Sequence, residues 1–432
     1  MKRKIYNNLL SWKESGRRKP LILQGARQIG KSWILKEFGR REFENVAYIS
    51  CDSEPLAVDL FADYDIKRIV RSVEAITSVP IVAGKTLIIF DEIQEVPRGL
   101  SALKYFYETA PEYHVAVAGS LLGITLHSGT SFPVGKVNFL EMHPMDFEEF
   151  LWAKGEERLA DAISVADIPV VDTLHVKCVE LLREYYFVGG MPEVVAAYVD
   201  GASLMEVRDI QKSIIEAYRN DISKHAPSRE VERISLVLRS LPAQLAKENK
   251  KFVYSAIRKG SRAADFEIAI QWLIDAGILT KVSRISAPRV PLAFYEDFNA
   301  FKLYLLDCGL FGAMVDAPAA EILMGSKIFE EYKGAFTELF ILQQLVCNLK
   351  EKIYYFSADN SRIEIDFILE FEAMVYPIEA KAEDNLKAKS LKLFREKFDL
   401  PLSIRLSMRN YRREDKLVNI PLYAAFALCR WI

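Results

Sequence analysis

The chain has 432 residues, 50% hydrophobic and 27% charged, which excludes a disordered chain and supplies apolar content for roughly two to four packed domains. A formal net charge of −2 excludes a generally basic nucleic-acid binder, so any such contact must come from a local patch. Cys51, Cys178, Cys308, Cys347 and Cys429 form no C-x-x-C pair, and neither a signal-peptide h-region after Met1 nor an apolar run of about 18 residues is present, so a cytoplasmic protein with reduced thiols and no membrane span is expected.

The first predicted strand is Lys19-Pro20-Leu21-Ile22-Leu23-Gln24, and a helix is predicted from Trp33 to Phe38. Between them stands Gly25-Ala26-Arg27-Gln28-Ile29-Gly30-Lys31-Ser32, which fits G-x-x-x-x-G-K-[ST]. Glycines in such a loop let backbone N–H groups approach phosphate oxygens, and the helix N-terminus faces them with its positive end. Lys31 is then assigned to the β- and γ-phosphates and the Ser32 hydroxyl to Mg²⁺. A second strand is predicted at Val46-Ala47-Tyr48-Ile49-Ser50. Thr86-Leu87-Ile88-Ile89-Phe90-Asp91-Glu92 is an apolar run ending in two acids, suited to a strand buried on both faces of a parallel sheet. Its acids fall at the C-terminal end, where open α/β sheets bind ligands. Asp91 is assigned to the Mg²⁺ shell and Glu92 to polarising the attacking water.

His114-Val115-Ala116-Val117-Ala118 is a fourth strand and Val137-Asn138-Phe139-Leu140 a fifth. Ser120, beyond the fourth, is either a polar sensor of the γ-phosphate or an N-cap before Leu121-Leu122. Residues 1–143 are thus expected to be the nucleotide-binding domain. From Pro144 the pattern turns helical, with amphipathic stretches at Asp146–Trp152 and Leu174–Tyr186 and a break at Gly189-Gly190-Met191-Pro192-Glu193. Residues 144–228 read as a helical lid and linker.

Residues 229–300 read as a winged helix: helices Val231–Leu245, Phe252–Ile257 and Ala263–Ala276, then strand Ile278–Val282 and a return strand at Pro291–Tyr295. The third helix starts with Asp265 and Glu267, the wrong sign for a major groove, so DNA contact through this unit rests on Arg258, Lys259 and Arg262.

Residues 301–432 form a last unit. A helix from Gly334 to Leu349 carries Glu338, and strands follow at Lys352–Phe356, Ile363–Leu369 and Val375–Lys381. Period two puts Glu364 with Asp366 on one face and Glu379 with Lys381 on one face. A helix Asn385–Phe398 and a strand Leu402–Leu406 complete an α-β-β-β-α-β order. With D…E-x-K on adjacent strand ends, it resembles the PD-(D/E)-X-K nuclease fold. In that reading Asp366 and Glu379 hold Mg²⁺ or Mn²⁺, Glu338 completes the shell, and Lys381 orients water and stabilises developing charge. Residues 381–416 hold eleven Lys or Arg against six acids, which suits a phosphate-facing surface. Pro377 is awkward for a central strand.

Taken together, the P-loop, Phe90-Asp91-Glu92-Ile93-Gln94, Ala118-Gly119-Ser120, Gly189-Gly190-Met191-Pro192-Glu193, the run Phe301–Leu310 and Tyr332-Lys333-Gly334-Ala335-Phe336-Thr337-Glu338 resemble the prokaryotic AAA-type ATPases that carry a C-terminal domain of unknown function. The resemblance implies an α/β protein with an AAA-like parallel sheet, a winged helix and a restriction-endonuclease-like tail, which binds ATP with Mg²⁺; a homo-oligomer is one of the assemblies left open, since the sequence does not give the oligomeric state. Where such proteins carry Gly-Arg after the sensor strand, this chain has Gly135-Lys136, so no arginine finger is identified there. Two functions stand: an ATPase coupled to DNA binding or cleavage, and a nucleotide-dependent interaction module, with a protein partner, whose nuclease-like fold is inert. A small-molecule kinase would need neither C-terminal unit.

Overall fold

The five apolar runs of the N-terminal third pair side by side in a computed structural model that describes residues 1–96, 98–120, 135–247, 250–325, 333–358, 363–382 and 389–432. Strands β1 (Leu21–Gln24), β2 (Asn45–Ser50), β3 (Thr86–Asp91), β4 (His114–Gly119) and β5 (Asn138–Glu141) form a sheet in the order β2-β3-β4-β1-β5. All its pairings are parallel. β3 and β4 are buried along their whole length, as uninterrupted apolar strands are when helices cover both faces of a sheet. Ile22, Ile88, Phe90, Val115 and Val117 pack against Ile69 and Val73 of the helix Ile66–Thr77 and Leu103 and Phe106 of the helix Gly99–Thr109. β4 sits between β1 and β3, which brings Gln24, Asp91 and Gly119 to one end of the sheet. This unit comprises Lys2–His143 together with Asp275–Ile278.

The second unit comprises Pro144–Ile274 and Leu279–Ile432, with Met1. Its helices include Phe147–Ala153, His175–Val188 and Leu204–His225, the first and last each opened by a capping box, at Asp146 with Glu149 and at Ser203 with Glu206. Its sheet has eight strands in the order β12-β13-β11-β10-β9-β8-β6-β7. These are β6 (Leu279–Ile285), β7 (Glu296–Leu305), β8 (Tyr354–Ser357), β9 (Glu364–Phe371), β10 (Met374–Lys381), β11 (Ser403–Ser407), β12 (Arg412–Glu414) and β13 (Leu417–Pro421).

The hairpin assigned by sequence to a winged helix is therefore continuous with the C-terminal sheet. β6 pairs with β8 in parallel, and β7 runs across residue 300 without a break. Ile285 and Leu292 share one core with Phe356, Ile365, Ile368 and Phe394, which explains the joining. The return strand starts at Glu296, because Leu292–Tyr295 forms a 3-10 turn that buries Leu292 and donates its N–H to the Glu370 carboxylate at 2.8 Å. The helix Val231–Leu245 is as read, whereas Tyr254–Ala256 is a 3-10 turn. The α-β-β-β-α-β order holds for the helix Lys333–Asn348, β8, β9, β10, the helix Lys389–Phe398 and β11; the first residues of the expected Asn385 helix, like Tyr332, lie outside the described residues. Pro377 is accommodated inside β10 because pairing with β11 begins one residue later, at Ile378 with Ile404.

Two motifs without an assigned chemistry meet in this unit. The buried Asp307 carboxylate accepts the Gly190 N–H at 2.6 Å, the Leu310 N–H at 2.9 Å and the Gln343 side-chain amide at 3.1 Å. It thereby caps the helix Cys308–Met314 and fixes the Gly189-Gly190 turn. A Cβ on Gly190 would lie 1.9 Å from the Met145 carbonyl oxygen, so only glycine fits there. Asp307→Ala leaves three buried donors unsatisfied, each costing about 1–3 kcal/mol. Urea unfolding followed by fluorescence should show a loss of at least ~3 kcal/mol, with a smaller loss for Asp307→Asn, which keeps one acceptor. A loss below ~1 kcal/mol for the alanine variant would mean that water takes over the carboxylate's bonds.

Candidate functional site

The loop Gly25–Ser32 leaves β1 and enters the helix Lys31–Glu42. Gly25 has φ +142°, and a Cβ there would lie 2.2 Å from the Met142 carbonyl oxygen and 2.6 Å from Ile29 Cδ1. Gly30 is left-handed at the helix N-cap and offers no side-chain acceptor to the first turn, so the helix start is open to an anion. Lys31 is buried, and its Nζ donates to the carbonyls of Gly25 at 2.9 Å and Ala26 at 2.7 Å. Burial lowers its pKa to about 8, against the opposing pull of Glu92 and Asp91. These residues fit a polyphosphate: a cradle that a side chain would fill, an uncapped helix N-terminus and a desolvated cation.

Asp91 ends β3 buried, where its carboxylate accepts the Tyr48 hydroxyl at 2.8 Å and the Glu92 N–H at 3.2 Å. Burial and this bond to Asp91 raise the Tyr48 pKa. Glu92 is left-handed, with φ +48°. Its carboxylate accepts the Gln94 side-chain amide at 2.5 Å, the Ser120 N–H at 3.1 Å and the Ser120 hydroxyl at 3.2 Å. The structure thus brings Glu92 and Ser120 together; the N-cap alternative for Ser120 involves Leu121 and Leu122, which lie outside the described residues. Lys136 pairs with Glu108 at 3.0 Å. Sequence reading gave Gln94 no role beyond its place in a family motif, and it missed Tyr48 and Arg3. Buried Arg3 donates to the Ile29 carbonyl of the loop at 3.0 Å and to the His143 carbonyl at 2.6 Å. A lysine-arginine-rich N-terminus gives no signal for that role.

In the second unit, Glu338, Glu364 and Asp366 belong to one charge cluster with two lysines. Glu338 is gripped by Lys250 Nζ at 2.5 Å and by the Tyr304 hydroxyl at 2.8 Å, with Lys302 Nζ at 3.9 Å. Lys302, fully buried, pairs with Glu364 at 2.9 Å. Asp366 accepts the Ala380 N–H at 2.8 Å. Burial alone would raise the Glu338 pKa, but Lys250 and Lys302 outweigh it and hold Glu338 ionised. Burial and the Glu338 charge push Asp366 up to about 7. Glu379 lies apart in pairing: its Oε1 meets Lys381 Nζ at 2.8 Å, and its buried Oε2 has no hydrogen-bond partner among the described residues.

Of the expected metal shell, Glu338 meets Lys250 and Tyr304, Glu379 meets Lys381, and Asp366 accepts the Ala380 N–H. Among the described residues no group of three or more His, Cys, Asp or Glu side chains is disposed to hold a metal ion. Lys302 was missed by the sequence reading, although a lysine inside the apolar run Ala300–Leu306 is a visible signal of a buried ion pair. Lys250 gives no such signal.

Residues 17–151 match the family model of an AAA domain. Residues 179–321 match a domain of unknown function (DUF8612), and residues 333–424 match another (DUF4143). The N-terminal unit is thus an AAA-type P-loop domain. No curated protein matches the chain. Among solved structures, the Walker-type ATPase PABY2304 of Pyrococcus abyssi is similar at 15% identity and a TM-score of 0.46, over 73% of this chain and 95% of that one. The Aeropyrum pernix ORC2 protein with ADPNP and ADP is similar at 13% identity and 0.33, over 77% and 91%. The RuvB Holliday junction branch migration motor of Thermotoga maritima is similar at 14% identity and 0.27, over 67% and 90%. Among the described residues no helix is long and apolar enough to cross a membrane.

The charge cluster sets a pH dependence of folding. The Asp366 pKa rises from 3.8 to about 7 on folding, so its contribution is complete below 3.8 and is lost as pH rises through about 7. Glu338 is shifted down from 4.5, so its contribution is complete above 4.5 and is lost only in stronger acid. Between pH 5 and 7 the two windows separate. Urea midpoints should fall with rising pH in the wild type and fall less in Asp366→Asn; equal slopes would refute the assigned shift.

Proposed function

We propose that the protein is an ATPase that uses Mg²⁺-dependent hydrolysis as a conformational switch acting on a macromolecular partner, nucleic acid or protein. The observation that carries this reading is the desolvated Lys31 ammonium, hydrogen-bonded to loop carbonyls at the mouth of an uncapped helix. Lys31 exchanges those carbonyls for β- and γ-phosphate oxygens, which are stronger acceptors because they are charged. The loop N–H groups of Gly25, Ala26, Arg27, Gln28, Ile29 and Gly30 cradle the phosphates. Ser32 and Asp91 would hold Mg²⁺, which supplies charge neutralisation when bound. Glu92 accepts the proton of the attacking water. In the present conformation its carboxylate is occupied by Ser120 and Gln94, so base action requires their release. Ser120 is then the residue that links phosphate occupancy to the position of Glu92.

For the C-terminal constellation the inert alternative is favoured. Lys250 and Lys302 already neutralise Glu338 and Glu364, so a divalent ion would have to displace two ammonium groups. Asp366, Glu379 and Lys381 then serve the shape of the sheet end and its charge balance.

Lys31→Ala should weaken ATP binding more than tenfold, a loss above about 1.4 kcal/mol, by calorimetry. Glu92→Gln should bind ATP and lose about 10²–10⁴-fold in turnover. Wild-type turnover in the glutamine variant would remove Glu92 from the base role, and lost binding would make it structural. Plasmid and single-stranded DNA should remain uncut by wild-type protein in Mn²⁺, with no Mn²⁺ heat that depends on Asp366; cleavage abolished by Asp366→Ala and Lys381→Ala would restore the nuclease reading.

A further inference from the structure

Three clefts of the second unit adjoin through shared lining residues, two of them past the C-terminal ends of β10 and β11 and the third at the N-terminal ends of β11 and β13. The first, about 350 Å³, is lined by Arg405, Arg409, Arg412, Tyr411 and Asn419 beside His175 and Met408. His175 and Met408 also line a second cleft of about 320 Å³ that carries Arg183 and Lys333. Arg405 also lines a third, of about 350 Å³, that carries Lys392, Arg395 and Lys416. Along the three clefts eight Lys or Arg face three acids, Glu180, Glu414 and Asp415, a local excess of five in a chain whose net charge is −2.

The cationic row is held on a rigid floor. Buried Asn419 accepts Arg405 Nε and the Ser407 hydroxyl, both at 2.8 Å. Its amide donates to the Asn410 carbonyl at 2.9 Å and the Arg409 carbonyl at 3.4 Å. The turn that presents Arg409 and Arg412 is thereby fixed to β13. The helix His175–Val188 begins at this place, and its N-cap Leu174 gives no side-chain acceptor, so its positive end adds to the field. Tyr411, half-buried, lines the first cleft with its ring 5.6 Å from that of Trp431.

We propose that this track binds single-stranded nucleic acid, with phosphates on the arginine and lysine row and a base against Tyr411. Linked clefts that share lining residues fit a linear polymer with repeating charge rather than one small anion. A concave track does not fit a flat bilayer. A basic groove with an aromatic face is the chemistry that strands use when sequence is not read. This names the partner class left open by the switch reading and depends on that reading only for its coupling to ATP.

The test uses the full chain and a fluorescein-labelled oligothymidylate of about 16 nucleotides, by anisotropy without ATP, at about 50 and about 200 mM salt. Arg409 and Arg412 are exposed, so the double variant Arg409→Ala/Arg412→Ala should fold, as an unchanged melting profile will show. It should weaken binding about tenfold or more and lower the salt slope by about 0.7 for each phosphate that an arginine no longer neutralises. Arg258→Ala/Lys259→Ala, at the other basic turn, should leave binding unchanged. The inference is overturned if wild type does not bind the strand, if the weakening follows Arg258 and Lys259 instead, if a duplex of equal length binds more tightly, or if phosphatidylserine vesicles bind and the strand does not. ATP turnover is measured on the same protein, so strand binding that fails beside intact turnover defeats this inference alone.

Discussion

One buried carboxylate organises the larger unit. Asp307 has no access to water, and burial raises its pKa against the pull of the N–H groups that point at it. It ties the Gly189-Gly190 turn, the start of the helix Cys308–Met314 and Gln343 of the helix Lys333–Asn348 into one knot. Gln343 passes the link to the Tyr185 hydroxyl at 2.9 Å, which in turn donates to the Met145 carbonyl. Around this knot Phe147, Tyr185 and Phe340 meet edge to face. The helices Phe147–Ala153 and His175–Val188 consequently share their core with the helix Lys333–Asn348, and a shift in one of them is a shift of the packed unit rather than of a separate flap.

The sequence made the first sheet legible because its signals were local. An apolar run such as Thr86–Phe90 that is buried on both faces needs no knowledge of its neighbours, and the P-loop carries its own geometry in two glycines. Ser120 was placed near the site by its position after β4, and it does meet Glu92. The second unit was harder because its determinants are long-range. Nothing near Leu279–Ile285 announces a partner at Tyr354, seventy residues on, so the hairpin read as a self-contained wing. The Gly189-Gly190 and Asp307 motifs were visible as motifs, but their shared purpose exists only once they touch. The strand faces at Asp366 and Glu379 were read correctly from period two, whereas the lysines that pair with those faces' neighbours came from elsewhere in the chain, at 250 and 302.

Two lysines with the same burial and opposite electrostatics separate the two candidate sites. Lys31 is enclosed by neutral carbonyls, so desolvation wins over the pull of Glu92 and Asp91 and its pKa falls to about 8. Lys302 is enclosed by Glu338, Asp366 and Glu364, and their combined charge overcomes desolvation and raises its pKa. A buried cation without a full countercharge is costly to fold and is relieved when an anion arrives. A buried cation among three carboxylates has already been relieved, and an incoming metal ion must undo that arrangement before it gains anything. The P-loop is therefore the place where this molecule stores a demand for negative charge, and the Lys302 cluster is where the fold has met that demand itself. The Glu379 Oε2, which has no hydrogen-bond partner among the described residues, is a remnant polar cost that the Lys381 ammonium, bound to the other oxygen, reduces without removing.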